Sequence, residues 1–307
     1  MRVLLTGASG LIGQYAVRPL IESGCEVFCV SSSLPTHDAG RRHWIHADLL
    51  SLHSIKEVIS YVSPTHLLHF AWETKAQTYL EDRSNFDWLH SSFELLKQFY
   101  SHGGTRAVCA GTCFEYGFKN EPLREDMALN PTSTYAKCKN ILRQTAELYA
   151  EKMGFSFAWG RIFYTYGEHE QPERLVPHLI ENLSKNRPVS IRSPQLVKDY
   201  LFAGDVAAAF VALLSSDATG CFNICSGIPI KVGDLATEIA RHYGREDLLE
   251  FQNEPTSQPP MILGDNSRLV KEVGFEQNLD PRTRLISFLN SGLNSIWHDD
   301  EERGGER

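Results

Sequence analysis

The 307-residue chain contains 42% hydrophobic and 22% charged residues, a balance that is ordinary for a soluble globular protein of one large or two modest domains. Its formal net charge of −8 argues against a nucleic-acid partner and against an anionic membrane surface. No apolar run approaches the roughly 20 residues that span a bilayer, and the N-terminus has no secretory pattern. The seven cysteines include no Cys-x-x-Cys pair, so we expect reduced thiols and a cytoplasmic location.

The first two-thirds of the chain alternates short apolar runs with amphipathic segments. The apolar runs mostly lack polar alternation, which is typical of a parallel sheet covered by helices on both faces. The predicted strands are residues 3–5, 27–30, 67–70, 107–110 and 157–159, and the predicted helices are about 11–23, 52–62, 86–101 and 134–153. This alternation predicts a doubly wound α/β (Rossmann) fold with ligands at the carboxyl ends of the strands.

The pattern loosens after Arg161. The remaining predicted elements are helices at about 173–186, 204–215, 232–243 and 282–295, a short strand at 189–191, and a run at 221–224 that returns to the sheet. We therefore predict a dinucleotide-binding domain (residues 1–165 plus about 204–228) and a smaller, discontinuous α/β substrate-binding domain (about 166–203 plus 229–296). Residues 297–307 are predicted to form a polar tail.

A glycine-rich turn, Gly7-x-x-Gly10-x-x-Gly13, follows the first predicted strand and opens the first helix. Gly7 permits a tight turn, Gly10 lets the backbone approach a pyrophosphate, and Gly13 allows the helix to pack closely on the strand. The order of strand, turn and helix predicts a dinucleotide site that also includes Leu11 and Ile12. A glycine turn without a ligand is the alternative.

Tyr135 and Lys139 lie four residues apart in a predicted helix, so their side chains share one face. An ammonium near a phenol stabilises the phenolate, and lowering a tyrosine pKa from about 10 to about 7 takes roughly 4 kcal/mol. The pair could then exchange protons near neutral pH. A surface tyrosine and lysine would show the same spacing, so other motifs must decide.

Five motifs, taken in order along the chain, resemble the extended short-chain dehydrogenase/reductase family, particularly its nucleotide-sugar epimerases, dehydratases and ketoreductases. The motifs are the Gly7–Gly13 turn, Ala47-Asp48-Leu49, His69-Phe70-Ala71-Trp72, Thr112 with Tyr116-Gly117, and the Tyr135/Lys139 pair. The resemblance extends to about residue 296.

The resemblance implies a catalytic role for three residues. Tyr135 would be the general acid/base, and Lys139 would hold the nicotinamide ribose and lower the tyrosine pKa. Thr112 would hydrogen-bond the substrate oxygen, because a hydroxyl can donate to a carbonyl or accept from an alcohol. An ordinary threonine at a strand end is the alternative for Thr112.

The resemblance also implies four cofactor contacts. Asp48 would meet the adenine, with the Leu49 backbone nearby, and a helix cap or loop salt bridge is the alternative for Asp48. Ala71 and Trp72 would line the phosphate side of the cofactor.

The residues after Thr112 depart from the family. Sugar 4,6-dehydratases carry an Asp-Glu pair there, whereas this chain has Cys113 and Phe114. Glu115 is displaced by one position, which along a strand turns it to the opposite face. The chain therefore lacks the acid/base pair that dehydration requires. The reactive cysteine of GDP-fucose synthases would fall at Phe114, so we interpret Cys113 as a packing residue.

The coenzyme is predicted from the end of the second strand. NAD-bound members of the family place there an Asp that repels a 2′-phosphate, whereas this chain has Ser31, Ser32 and Ser33, which can donate to one. Arg41 and Arg42 in the following loop could neutralise the phosphate, with solvated loop charges as the alternative. We predict NADP(H), with NAD as the alternative coenzyme.

The predicted substrate contacts match the family less closely. Tyr164 replaces the usual Asn, and Lys198 replaces an arginine that meets the nucleotide diphosphate, giving a point charge instead of a fork. A second arginine is missing, and Arg174 or Arg268 could compensate. His169 and the other histidines show no metal-ligand spacing, so we expect no metal.

Together these features favour an NADP(H)-dependent ketoreductase of a nucleotide-linked keto-deoxysugar, with C4 as the candidate position. An NAD-dependent nucleotide-sugar 4-epimerase using the same residues is the alternative, and a non-catalytic dinucleotide-binding regulator is the least favoured interpretation. The resemblance also implies a homodimer through helices 86–101 and 134–153, although core packing alone would explain their apolar faces.

Overall fold

The computed structural model of the protein describes residues 1–32, 42–117, 119–256 and 258–291. The first half consists of β1 (Arg2–Thr6), α1 (Gly13–Glu22), β2 (Glu26–Ser31), β3 (Arg42–His46), α2 (Leu52–Val62), β4 (His66–His69), α3 (Ser84–Ser101), β5 (Arg106–Thr112), a 3-10 turn (Cys113–Tyr116), α4 (Thr134–Met153) and β6 (Ser156–Ile162). The second half consists of β7 (Tyr164–Tyr166), α5 (Leu175–Ser184), β8 (Val189–Ile191), β9 (Val197–Phe202), α6 (Ala203–Ser215), β10 (Gly220–Ile224), β11 (Pro229–Lys231), α7 (Val232–Tyr243), β12 (Leu249–Phe251), β13 (Met261–Ile262) and α8 (Pro281–Ser291).

Seven strands form the central sheet in the order β10-β6-β5-β4-β1-β2-β3, and every neighbouring pair is parallel. This confirms the predicted Rossmann fold. The chain runs outward from β1 to β3, then returns beside β1 as β4 and continues toward the other edge. The strand order therefore reverses between β1 and β4, and a ligand crevice is expected at their carboxyl ends.

Each face of the sheet has its own buried cluster. Side chains of α1 and α6, such as Leu20 and Phe210, fill one cluster, and side chains of α2, α3 and α4, such as Ile59 and Leu142, fill the other. Successive residues of β1 point into opposite clusters, which explains why this strand shows no polar alternation.

A second group of elements packs around β9, which pairs with β7, β11 and β13. Side chains of α5, α7 and α8 cover these strands in a third apolar cluster. Most of these strands have two or three residues, too few to stand out in the sequence. The expected strand at 189–191 is β8, which pairs with β12 in a separate two-stranded sheet. The proposed division into two domains stays a prediction, and residues 297–307 lie outside the described part of the chain.

Strand β3 corrects the sequence analysis, which placed Arg42 in a loop. Residues 42–46 instead pair with β2 at one edge of the sheet. His43 and His46 are exposed on this edge strand, so it shows no apolar run from which it could have been predicted. None of the helices in the described ranges is long and apolar enough to cross a membrane.

Candidate active site

The turn between β1 and α1 requires glycine on geometric grounds. Gly7 has a φ of 68°, and a Cβ there would lie 2.8 Å from the backbone nitrogen of Ala71. A Cβ on Gly13 would overlap the carbonyl oxygen of Gly7. The turn is closed by a 3.0 Å hydrogen bond from the nitrogen of Gly10 to that same oxygen. The backbone of the turn is therefore held against the end of β4, with the N-terminus of α1 facing the crevice.

A buried histidine fixes the end of β4. The His69 Nδ1 atom shares a 2.6 Å hydrogen bond with Thr6 Oγ1, and its Nε2 atom shares a 2.9 Å hydrogen bond with Ser92 Oγ. The nitrogen of Ala71 donates to the same Thr6 hydroxyl at 3.3 Å. Burial lowers the pKa of His69 to about 3, so the ring is neutral and can bridge two hydroxyls.

Thr112 and Tyr135 meet because β5 ends where α4 begins. Thr112 is the last residue of β5, and Ser133 caps α4 by accepting a 3.2 Å hydrogen bond from the nitrogen of Ala136. The Thr112 hydroxyl lies near enough to the Tyr135 phenol to favour the ionised phenol, although burial dominates its pKa. The Tyr135 ring packs edge-on against Tyr79 and Trp72, at centroid distances of 5.0 and 6.2 Å. The N-terminus of α4 thus places the Tyr135 phenol beside the carboxyl end of β5.

Lys139 lies one turn further along α4 and is fully enclosed. Its Nζ atom donates to the carbonyl oxygen of Ala110 at 2.9 Å and lies 3.9 Å from the ring centroid of Trp72. Burial lowers the pKa of Lys139 to about 7 and raises the pKa of Tyr135. The ammonium faces Ala110 and Trp72, and burial dominates the pKa of the phenol. The lowering of this pKa by Lys139 stays a prediction.

One cavity of about 950 Å³ connects these features. Thirteen of the sequence-predicted site residues line it: Gly7, Gly10, Leu11, Ile12, Gly13, Ala71, Trp72, Thr112, Tyr135, Lys139, Tyr164, Arg174 and Lys198. The cavity runs from the glycine turn, past the Thr112/Tyr135/Lys139 group, to the strands around β9.

Four predicted cofactor residues lie beyond the cavity wall but at the same edge of the sheet. Ser31 ends β2, and its hydroxyl shares a 2.7 Å hydrogen bond with that of Ser9 in the glycine turn. Ser32 follows it, and its carbonyl oxygen lies 2.9 Å from His46 Nε2. Asp48 is exposed after β3 and accepts a 2.9 Å hydrogen bond from the nitrogen of Leu50, while the adjacent Leu49 is buried.

Arg42 is placed differently from the expectation. Its Cα pairs with Val27 at the start of β2, whereas Ser31 pairs with His46 at the other end. Arg42 and His46 are four residues apart along β3, a distance of about 13 Å. Arg42 therefore lies at the amino-terminal ends of the parallel strands, away from the position of a ribose beside Ser31 at their carboxyl-terminal ends. Its side chain, Arg41 and Ser33 lie outside what the structure describes.

The two predicted cations, Lys198 and Arg174, line the far end of the cavity. Lys198 Nζ is buried without a hydrogen-bond partner among the described residues and lies 4.8 Å from the ring centroid of Tyr164. Burial lowers the pKa of Lys198 to about 8. Arg174 donates to the carbonyl oxygen of Thr74 at 3.1 Å and stacks over Tyr79. Arg268, the other candidate, donates instead to the carbonyl oxygen of Cys221 at 2.7 Å and does not line the cavity.

Tyr79 and Glu170 are among the lining residues that sequence reasoning missed. Tyr79 packs against Tyr135, and Glu170 has a buried, unpaired carboxylate oxygen among the described residues. Burial raises the pKa of Glu170 to about 8. Neither residue belongs to a motif, so only the folded chain brings them to the site. Cys113 also lines the cavity, and burial raises the pKa of its thiol to about 12, as befits an unreactive cysteine.

The fold, the glycine turn and the Thr112/Tyr135/Lys139 group define an enzyme of the short-chain dehydrogenase/reductase type that uses a nicotinamide dinucleotide. The chain belongs to the NAD dependent epimerase/dehydratase family, whose model matches residues 3–225.

Comparison with individual proteins shows distant relatives of several activities. The chain is 25% identical over 247 residues to a dTDP-6-deoxy-L-talose 4-dehydrogenase (NAD(+)) of Aggregatibacter actinomycetemcomitans, covering 79% of this chain and 91% of that protein. It is 24% identical over 310 residues to a UDP-glucose 4-epimerase of Corynebacterium glutamicum, covering 92% and 93%. Among solved structures, the UDP-glucose 4-epimerase of Thermus thermophilus in complex with NAD has a TM-score of 0.83 at 23% identity, covering 95% of this chain and 100% of that one.

Proposed function

We propose that the protein is an NADP(H)-dependent ketoreductase of a nucleotide-linked keto-deoxysugar, acting at C4. The observation that carries this proposal is the convergence of Thr112, Tyr135 and Lys139 on the cavity that contains the glycine turn. The positions of the dehydratase acid pair hold Cys113 and Phe114, which cannot perform acid/base elimination. The name of the relative from Aggregatibacter describes dehydrogenation at C4 of a dTDP-linked deoxysugar, and ketone reduction is the reverse of such a step.

The residues present fit a dinucleotide. Glycines leave the backbone of the turn open at the N-terminus of α1, where amide groups can hold a pyrophosphate. Lys139, which lines the cavity next to Tyr135, would hold the nicotinamide ribose. The coenzyme, when bound, supplies the hydride.

The chain's own contribution to the reaction is a positioned proton. Burial raises the pKa of Tyr135, so the phenol is protonated at neutral pH, which is the form a reductase needs. Tyr135 would donate this proton to the substrate carbonyl oxygen while Thr112 orients that oxygen. Lys139, with a pKa of about 7, could then help return a proton to the tyrosine.

Lys198 supports a nucleotide diphosphate at the far end of the cavity. A buried ammonium without a hydrogen-bond partner among the described residues is costly unless a ligand compensates it, and two phosphates provide matching acceptors. Tyr164, Arg174 and Glu170 would complete the walls around the sugar nucleotide.

The choice of NADP(H) over NAD rests on the end of β2. A hydroxyl, Ser31, occupies the position where a carboxylate would repel a 2′-phosphate, and its hydrogen bond to Ser9 holds it beside the glycine turn. Arg42 no longer supports this preference, because it lies at the opposite edge of the sheet.

The test is to supply purified protein with nucleotide-linked 4-keto-6-deoxysugars and to follow the absorbance loss of NADPH and of NADH. We expect turnover with NADPH, and we expect Tyr135→Phe to lower kcat by about 100-fold or more while the protein stays folded. Tyr79→Phe removes a neighbouring phenol hydroxyl and is the matched control, with a loss of less than about 10-fold. Wild-type turnover in Tyr135→Phe would refute the assignment.

The second candidate is an NAD-dependent nucleotide-sugar 4-epimerase. The observation that favours it is the near-complete coverage of a UDP-glucose 4-epimerase, 92% of this chain and 93% of that protein. An epimerase would use Tyr135 twice, first to accept a proton and then to return it. NAD that co-purifies with the protein, together with interconversion of 4-epimers and no net coenzyme turnover, would establish the epimerase and exclude the reductase.

We also propose a homodimer through α3 and α4. Large apolar side chains remain exposed on these two helices, namely Phe86 at 60%, Ile141 at 49% and Leu148 at 57%. Such side chains on neighbouring helices suit pairing with a second copy of the same face. Sedimentation should show a dimer that Ile141→Glu together with Leu148→Glu converts to a monomer, and a wild-type monomer would contradict the proposal.

A further inference from the structure

Glu115 is a fully buried carboxylate behind the site, and it does not line the cavity. One of its oxygens accepts hydrogen bonds from the backbone nitrogen of Thr112 at 3.0 Å and from Trp159 Nε1 at 2.9 Å. The other oxygen accepts from Arg161 Nε at 2.8 Å. Three donors from three different residues therefore hold this carboxylate in one place.

Thr112 and Glu115 form a capping box around the 3-10 turn. The Thr112 hydroxyl accepts a 3.3 Å hydrogen bond from the nitrogen of Phe114, and the Glu115 carboxylate accepts one from the nitrogen of Thr112. Because the hydroxyl oxygen is occupied as an acceptor on the protein side, its own proton can be directed toward Tyr135 and the cavity. Gly111 is needed for this arrangement, since a Cβ there would lie 2.6 Å from the Glu115 oxygen.

Glu115 also lies near Lys139, because the Lys139 Nζ atom is 6.0 Å from the ring centroid of Trp159, and Trp159 donates its Nε1 hydrogen to the Glu115 carboxylate. The other titratable groups near this ammonium are His69, Cys109 and Tyr135. Burial keeps all three neutral at pH 7: it lowers the pKa of His69 to about 3, raises that of the Cys109 thiol to about 12, and raises that of Tyr135. Glu115 is the anion in this group of residues, and its charge, which it shares with Arg161 and Arg143, favours the protonated lysine.

We propose that Glu115 is a positioning residue for the reaction: its carboxylate fixes the Thr112 hydroxyl for the substrate oxygen and helps to keep Lys139 charged. The inference rests on the proposed function for its catalytic meaning. The competing explanation is purely structural, because the ion pair with Arg161 also joins the end of β5 to β6.

The test compares Glu115→Gln with Tyr116→Phe. Glutamine keeps the shape of the side chain but removes its charge. The matched control breaks the same buried network further from Thr112, where the Tyr116 hydroxyl accepts from Arg161 at 3.0 Å and donates to Asn223 at 2.7 Å. Both variants should be less heat-stable than the wild type, so stability alone does not distinguish the two explanations.

Two measurements do distinguish them. The pKa of Lys139, followed by NMR of carbon-13-labelled lysine and assigned with Lys139→Arg, should fall by about 0.5 or more in Glu115→Gln and stay unchanged in Tyr116→Phe. With an active substrate, kcat should fall by about 10- to 100-fold in Glu115→Gln with little change in KM for the coenzyme. The alkaline limb of the kcat/KM profile should move to lower pH, because the lost negative charge had raised the pKa of both Tyr135 and Lys139.

An unchanged Lys139 titration and unchanged kcat in folded Glu115→Gln would overturn the inference, as would an equal shift in Tyr116→Phe. If Glu115→Gln does not fold, the charge-balanced pair Glu115→Gln with Arg161→Gln replaces it. Removing both charges leaves little net change at Lys139, so the readout is then kcat, which must still fall while KM for the coenzyme changes little. If the wild type reduces no nucleotide-linked keto sugar, the proposed function fails, while the lysine titration still decides the inference about Glu115.

Discussion

Acidification should destabilise the protein through His69, and the size of the effect follows from its surroundings. The unfolded chain takes up a proton on this histidine below its ordinary pKa of 6.5, whereas burial in the folded protein lowers the pKa to about 3. Both ring nitrogens already bridge hydroxyls, one of Thr6 and one of Ser92. The stabilising contribution of neutral His69 is therefore fully present above about pH 6.5 and is lost as the pH falls toward 3.

Each pH unit in this window costs about 1.36 kcal/mol of unfolding free energy for one such group. Two units, from 6.5 to 4.5, thus remove about 3 kcal/mol, which is a large part of the roughly 5–15 kcal/mol that stabilises a typical domain. Other groups titrate in the same range, so the effect must be isolated as a difference between two proteins.

The comparison variant is His69→Gln, whose amide can replace one of the two hydrogen bonds and does not titrate. At about pH 8 we expect it to be less stable than the wild type by about 1–3 kcal/mol, because one buried hydroxyl loses its partner. Urea unfolding at several pH values should show the stability of the wild type falling by about 3 kcal/mol relative to the variant on the way to pH 4.5, so that the variant becomes equally or more stable. A gap that stays constant with pH would refute the reasoning, since it would mean that His69 titrates alike in both states.

Three further outcomes are expected. Gly13→Ala should abolish coenzyme binding measured by calorimetry and lower the melting temperature, because its Cβ would overlap the Gly7 carbonyl oxygen; undiminished affinity would contradict the tight turn. Ser31→Asp should lower kcat/KM for NADPH by about 10-fold or more relative to NADH, because a carboxylate repels the 2′-phosphate, and an unchanged ratio would remove Ser31 from coenzyme selection. Iodoacetamide should modify Cys113 slowly at about pH 8, because burial raises its thiol pKa to about 12, and rapid labelling seen by peptide mass spectrometry would contradict the packing role.

The fold was predictable, and the residues of the candidate catalytic group could be named, because both depend on local patterns. Apolar runs revealed the inner strands, and the glycine spacing marked the turn after β1. The i, i+4 spacing of Tyr135 and Lys139 put both side chains on one helical face, and both line the cavity.

Errors arose where the outcome depended on partners distant in sequence. Strand β3 has exposed histidines and no apolar run, so Arg42 was assigned to a loop, although its register with Val27 puts it at the amino edge of the sheet. The enclosure of Tyr135 by Trp72 and Tyr79, and the direction of the Lys139 ammonium toward Ala110, were likewise not visible in the sequence.

The sequence by itself determined the α/β class, the glycine turn, and the identity of Thr112, Tyr135 and Lys139 as the candidate catalytic group. Only the tertiary structure decided how charge is distributed around that group. Glu115 was expected to turn away from the site along a continuing strand. The structure instead has a 3-10 turn at Cys113–Tyr116, from which Glu115 caps Thr112 and pairs with Arg161 of the next strand. The spacing of nearby residues can be read directly from the sequence. Burial and long-range charge pairing arise only when segments far apart in sequence pack together.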